Sequence, residues 1–273
     1  MVYYIMIKYG FQTYTWQMSY DKYAGKMEHI LDITKKGGLQ ALEAEVCMLK
    51  EYFESPDELK KLFDERNLTF AALCLVCDWL NKAETSEERA LADKTIDYIK
   101  KFKDSGTILA LCQMPQKNRE NLAERQKNAL LCINSIAKRA HDEGLPCVFH
   151  PNSPAGSVFR TYDDYKIMLD GLDSRCIGFA PDSGHIIKSG MNVYDIFNDY
   201  ISVIKHVHFK DIDAEGKWRV MGEGITDFPK IVTILKNGGY NGYIMVEDES
   251  LEAEHDADGV SIRNAEFLYN NFN

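Results

Sequence analysis

A chain of 273 residues in which 45% are hydrophobic and 27% charged has the composition of an ordinary globular protein, which excludes extended disorder, collagen and coiled coil. Its 32 basic and 42 acidic residues give a formal net charge of −10. That balance sets the surface against a phosphate backbone or an anionic membrane, and no run of about 18 apolar residues suggests a spanning helix.

The opening stretch MVYYIMIKYG lacks a basic leader and a small-residue cleavage site, so it reads as the lead-in to a first strand. Short apolar runs then alternate with longer amphipathic ones. Strands are expected at Lys8–Thr13, Gln40–Val46, Leu68–Val76, Thr107–Gln113, Pro146–His150, Cys176–Asp182, Ile204–Lys210 and Tyr243–Glu247. Helices are expected at Tyr23–Lys36, from Ser55, from Ser86 to about Asp104, at Arg119–Glu143, Tyr162–Leu172, Asn192–Tyr200, Thr226–Asn237 and Asp258–Phe272. Glycine pairs at Gly37-Gly38 and Gly238-Gly239 mark two of the helix ends.

Eight strands alternating with eight helices predict a parallel sheet, since each parallel crossover needs a helix. The count and the length favour an α/β fold of the single (β/α)8 TIM-barrel type, one domain spanning residues 1–273. An open doubly wound sheet is disfavoured because no G-x-G-x-x-G follows an early strand. The seven cysteines are odd in number and sparse, which argues for a reducing, cytoplasmic setting rather than a disulfide framework. Cys74 and Cys77 form one C-x-x-C, read as two packed thiols in an apolar strand, because a zinc site would want a second pair.

Catalytic groups of such barrels sit at the C-terminal ends of the strands. Those ends carry His150-Pro151-Asn152, Pro181-Asp182-Ser183-Gly184-His185, His206, His208, Lys210 and Asp211, and Glu247-Asp248-Glu249, with Glu43 and Glu45 on the second strand. A period of two puts His206, His208 and Lys210 on one face and Val207 and Phe209 on the other. Asp182, His208 and Glu247 then converge from three neighbouring strands as a site for Mn, Mg, Co or Zn. Trp16, Trp79 and Trp218 all fall on this side, where their faces suit either a sugar-like ring or loop packing. Arg219 and Glu223 could meet an anionic or hydroxylated substrate, while Gly222 and Gly224 let their loop turn.

The motifs HPN at 150–152, PDSGH at 181–185, HVHFKD at 206–211, MGEG at 221–224 and GYIMVED at 242–248 resemble the xylose-isomerase-like barrel superfamily. That superfamily includes sugar isomerases, epimerases, cyclitol dehydratases and the endonuclease IV type of repair enzyme. The first half of the chain matches mainly in layout, through GFQTYTW and ALEAEV. The resemblance implies a divalent metal held by Asp182, His208 and Glu247, with His185 and Lys210 as substrate-contacting or supporting groups. Trp16, Glu45, Trp79, Asn152 and Arg219 are the expected substrate contacts.

One departure matters. Many members place a metal-binding glutamate near the end of strand five, where this chain has Cys147-Val148-Phe149-His150. The two-base pair of the sugar epimerases is thus incomplete, and the HP-x arrangement resembles the inosose-dehydratase-like branch. His150 is either a fourth ligand or a general acid–base. The implied chemistry is proton abstraction beside a carbonyl, with Glu247 or His150 as base, followed by loss of a hydroxyl protonated by His150 or His185, or by return of the proton in an isomerase. The expected partner is a small sugar or cyclitol, with no nucleic acid and no membrane; nothing in the sequence marks an interface for a homo-oligomer. An abasic-site endonuclease would want more metal ligands and a basic surface. A noncatalytic sugar-binding barrel would bind without metal.

Overall fold

The computed structural model describes residues 7–272. The expected lead-in at residues 1–6 lies outside them. Ten strands follow in chain order: β1 (Lys8–Gln12), β2 (Ala41–Glu45), β3 (Thr69–Cys77), β4 (Ile108–Gln113), β5 (Cys147–His150), β6 (Gly178–Phe179), β7 (Val207–Phe209), β8 (Asp211–Ile212), β9 (Trp218–Arg219) and β10 (Tyr243–Val246). Eight of them form one parallel sheet in the order β6-β5-β4-β3-β2-β1-β10-β7. All eight expected strands are present, each within a few residues of its predicted span.

The sheet curls until its edges meet. The Phe179 amide donates to the Val203 carbonyl, and the Lys205 and His208 amides donate to the carbonyls of Phe179 and Pro181. This seam consists of isolated bridges rather than a continuous ladder. Its reason is local. Strand six, expected over Cys176–Asp182, shrinks to two residues, because Pro181 has no N–H to donate and Ser183 already starts a helix. The strand-seven segment likewise ends at Phe209. Asp211 and Ile212 leave it to pair antiparallel with Trp218 and Arg219, a hairpin not foreseen from the sequence.

Helices occupy the crossovers. Ser86–Lys100 and Tyr162–Gly171 each open with a capping box, Thr85 with Glu88 and Thr161 with Asp164. The helix expected at Tyr23–Lys36 is two pieces, Tyr20–Tyr23 and Met27–Lys36, broken at Gly25, whose φ of +76° is left-handed. Between sheet and helices lies the apolar core, with Phe11, Leu42, Phe70, Phe149 and Phe179 from the strands' outer faces. Cys74 and Cys77 are buried free thiols, as expected of packed cysteines. Among the described residues no helix is long and apolar enough to cross a membrane.

Inside the curl the layers are mostly small: Ala72, Cys74, Ile108, Ala110, Cys112, Val148 and Ala180 pack together. Ala41, Ala71 and Met245 form a second patch, where a side chain at Gly10 would collide with Met245 and the Ala41 carbonyl. The β2–β3 register shifts between Leu42 and Glu43. The extra residue is Ala71 of β3, and such an irregularity re-aims the side chains of the strand that carries it, here bringing both Ala71 and Ala72 to the interior.

Candidate metal centre and active site

Asp182, His208 and Glu247, expected to converge, lie together with His150, for which the sequence left two roles open. One ligand atom each from His150, Asp182, His208 and Glu247 lies within 4.8 Å of the others, and all four residues are buried. They come from the ends of β5, β6, β7 and β10, with Asp182 bridged to His208 across the seam. The His150 and His208 rings lie 4.4 Å apart between centroids.

Each donor is pre-oriented. His150 Nδ1 sits 3.2 Å from the Ala180 carbonyl, which can only accept, so Nδ1 carries the proton and Nε2 is the free lone pair. Burial, with the His208 charge adding, pushes the His150 pKa down to about 3, so the ring is neutral. Asp182 Oδ1 accepts from the His185 amide at 2.8 Å and caps the Ser183–Lys188 helix. Asp182 Oδ2 is buried and has no hydrogen-bond partner among the described residues. Burial raises the Asp182 carboxyl to about 6, against the lowering effect of Lys210.

An orphaned carboxylate oxygen beside two imidazoles and a second carboxylate is a donor set that fits a divalent ion of the zinc or manganese kind. A central ion with bonds of about 2.0–2.2 Å needs its ligands within roughly 4.4 Å of one another, close to the spacing present here. The residues therefore fit the group that the sequence implies.

Lys210 stands beside this cluster as a fully buried ammonium. It donates to Glu247 Oε1 at 2.5 Å, to Glu249 and to His185 Nε2 at 3.2 Å, and lies 3.6 Å from Asp182 Oδ2. Burial opposes its charge, but Glu247, Glu249 and Asp182 win and hold its pKa well above the ordinary value. The same pairing outweighs burial at Glu247 and keeps that carboxyl well below its usual range. His185 accepts from Lys210 at Nε2, so its Nδ1 proton faces the Ser153 hydroxyl at 2.8 Å. Burial and Lys210 together keep the His185 ring neutral. Gly184 permits this proximity: a Cβ there would run into Lys210 and the Trp218 ring.

Of the five expected substrate contacts, Glu45 lies in the field of the cluster, and Trp218, which was not one of the five, also faces it. Trp218 meets His185 edge-on at 5.5 Å and lies under the ammonium groups of Lys188 and Lys210. Burial pushes Glu45 up to about 7; Gln17, donating at 3.0 Å, opposes this, and the charges of Glu247 and Glu43 add to it. The other four are committed elsewhere. Trp16 is fully buried against Phe11 with its indole N–H on Asp258 at 2.7 Å. Trp79 is fully buried with a left-handed backbone, its amide held by Glu88. Asn152 uses its amide on the Gln113 carbonyl at 2.8 Å and accepts from Ser157, which staples its loop to β4. Arg219 grips Asp213 at 2.7 Å and is half exposed.

The MGEG loop is scaffold. Asp211 accepts from the amides of Ile212, Gly222, Gly224 and Thr226, and a Cβ at Gly224 would overlap its carboxylate. Asp248 likewise binds the Ser250 amide and the Asn264 side chain. Three participants had no role assigned from the sequence: Glu249 on Lys210 and Glu43 on His206 and His208, both noted only by their place on a strand, and Ser153 on His185, which was not noted.

Comparison with known proteins agrees with this architecture. Inosose dehydratase of Clostridium beijerinckii is 33% identical over 135 residues, 43% of this chain and 45% of that enzyme. The match to inosose dehydratase of Bacillus thuringiensis is longer, 28% identical over 237 residues, 77% of this chain and 79% of the relative. The chain thus spans under half of the first relative and about four-fifths of the second. Among solved structures, an IOLI protein with a binding zinc atom superposes with a TM-score of 0.77 at 16% identity over 96% of both chains. The probable 3-DHS dehydratase AsbF of Bacillus anthracis gives 0.76 at 18% identity, covering 98% of this chain and all of that one. At such identities these two establish the fold alone. The family model described as xylose isomerase-like TIM barrel matches residues 31–270, nearly the whole chain, and the protein belongs to that family.

Proposed function

We propose that this chain, acting as one domain, is a divalent-metal-dependent dehydratase of a keto-cyclitol or keto-sugar. The observation that carries the reading is the convergence of His150, Asp182, His208 and Glu247 beside the buried Lys210–His185 pair. The inosose dehydratases it resembles favour loss of water over other outcomes. A divalent ion held by those four groups supplies Lewis-acid polarisation of a carbonyl oxygen.

The chain's own groups supply the proton transfers. Glu247 is ionised and takes the proton from the carbon next to the carbonyl. The C–H electron pair becomes the new double bond, and the hydroxyl on the neighbouring carbon leaves. Lys210 and His185 hold the proton that converts this hydroxyl into water. Glu247 then returns its proton to Lys210 along the 2.5 Å contact, which closes the cycle. His150, neutral and tied to the Ala180 carbonyl, serves as a ligand rather than a base. That leaves one carboxylate base and argues against a symmetrical two-base epimerisation.

Incubating the metal-loaded protein in deuterated water with 2-keto-inositol and a panel of keto-sugars tests the reading. Loss of water with formation of an unsaturated or dione product is expected. Solvent deuterium entering the substrate without loss of water would overturn dehydration in favour of isomerase or epimerase chemistry.

A further inference from the structure

Glu43 touches none of the groups assigned a chemical step, yet it is fully buried on the inner face of β2. Its Oε2 meets two imidazole nitrogens, Nε2 of His206 just before β7 at 2.6 Å and Nε2 of His208 in β7 at 2.9 Å. Both rings reach it because residues two apart on a strand share a face. Glu43 Oε1 and His206 Nδ1 are buried without partners. Among the described residues the carboxyl is thus held by two imidazoles alone, and the His206 ring has no other polar contact. An ionised carboxylate buried this deeply costs several kcal/mol unless well paired, so its retention in the barrel interior needs a cause.

Hydrogen-bond chemistry gives one. A carboxylate oxygen only accepts, so both rings donate from Nε2. His208 is then left with Nδ1 toward the cluster, 3.2 Å from Glu247 Oε2, to which it donates by the same rule and where a bound ion would take the place of its proton. We infer that Glu43 and His206 are a positioning pair that fixes the tautomer and tilt of His208, so that Nδ1 is presented as the metal-binding lone pair. Glu43 sets the tautomer directly. His206 acts through Glu43 by pinning the carboxylate plane from the far side. Partners of this kind tune a ligating histidine without touching the ion.

The inference rests on the metal reading above, and its test separates the two. Zinc affinity is measured by competition with a chromogenic chelator for the wild type, Glu43→Gln, His206→Phe and His206→Gln. Near-UV circular dichroism of the metal-free proteins reports the fold. Glu43→Gln is expected to weaken zinc binding by about 10–100-fold. His206→Phe should weaken it by less, and His206→Gln, whose amide can still donate to Glu43, should restore part of the loss. Equal affinity in the wild type, Glu43→Gln and His206→Phe would overturn the positioning role alone. No zinc binding by the wild type would overturn the metal reading and this inference together. Should the variants fail to fold, ring-nitrogen correlations of the ¹⁵N-labelled, zinc-loaded wild type decide: Nε2–H on both rings supports the pair, and Nδ1–H on His208 overturns it.

Discussion

The barrel interior has two unlike walls. From β3 through β6 it is lined by Ala72, Cys74, Ile108, Ala110, Cys112, Val148 and Ala180, apolar throughout and mostly small. From β2 across β10 to β7 it carries Glu43, Glu247, His206 and His208, with Lys210 just beyond, all buried. The first wall can be packed by volume alone. The second must satisfy every charge, because a buried ion without a partner is among the costliest features a fold can hold. His150 stands where the walls meet, at the top of the Val148 face of β5. The apolar wall leaves the charges opposite it no water to lean on, which both strengthens their pairing and concentrates the chemistry on one side.

Removing the cation from the polar wall should have the largest effect on stability. Lys210→Met leaves Glu247, Glu249 and Asp182 facing one another without their shared ammonium. The metal-free variant is expected to lose about 3–5 kcal/mol in urea unfolding. Saturating zinc or manganese should recover part of this, more than it adds to the wild type. A loss below roughly 1 kcal/mol would mean that the carboxylates relax into water and that the wall is less closed than it looks. On the apolar wall the matching experiment is Ala110→Val. Overpacking a tight layer costs about 1–3 kcal/mol, so the thermal midpoint should drop while turnover per folded molecule stays within about twofold. A large fall in turnover would show that the two walls are coupled.

Much of this contrast was legible in the sequence. Strand alternation put His206, His208 and Lys210 on one face, and barrel topology put Asp182 and Glu247 at matching heights, so the convergence of Asp182, His208 and Glu247 follows from local pattern plus fold, while the place of His150 stayed open. What escaped depends on contacts that no local pattern encodes. Glu43 meets His206 and His208 across 163 and 165 residues of chain. The available signal was its position on an inward face of a strand that otherwise buries Ala41 and faces small residues. The helices at Tyr14–Gln17, Val46–Leu49 and Leu251–His255 are too short to show a 3.6-residue period. For the tryptophans the sequence leaves ring stacking and loop packing open for a physical reason. Position after a strand locates a residue near the mouth, but it does not say whether the ring turns inward to the packing, as Trp16 and Trp79 do.

Glu45 gives a milder, pH-dependent probe of the polar wall. Burial holds its carboxyl at about 7, above the ordinary value of 4.5. The folded chain therefore binds this proton more tightly than the unfolded chain, and stability falls as pH rises through that window. Glu45→Gln removes the fall. In the metal-free protein the variant should equal the wild type near pH 4 and exceed it at pH 8 by on the order of 1–2 kcal/mol in urea unfolding. Parallel stability curves at both pH values would mean that Glu45 ionises freely and lies outside the field of Glu247 and Glu43.

The smallest effect is expected outside both walls, at Arg219. Its position after the seventh barrel strand makes it a natural substrate contact, but its guanidinium is held by Asp213 within the β8–β9 hairpin and is half exposed. Exposed ion pairs of this kind contribute about 0–1 kcal/mol. Arg219→Ala should therefore leave stability within that range and KM for the accepted keto-substrate within about twofold. Trp218, its neighbour on the strand, turns the opposite way, toward His185 and Lys210. Trp218→Ala should raise KM where Arg219→Ala does not, because the period of two sends one residue of the pair to the polar wall and the other to solvent. A KM raised tenfold by Arg219→Ala would show that the hairpin folds over the bound substrate and brings the arginine with it.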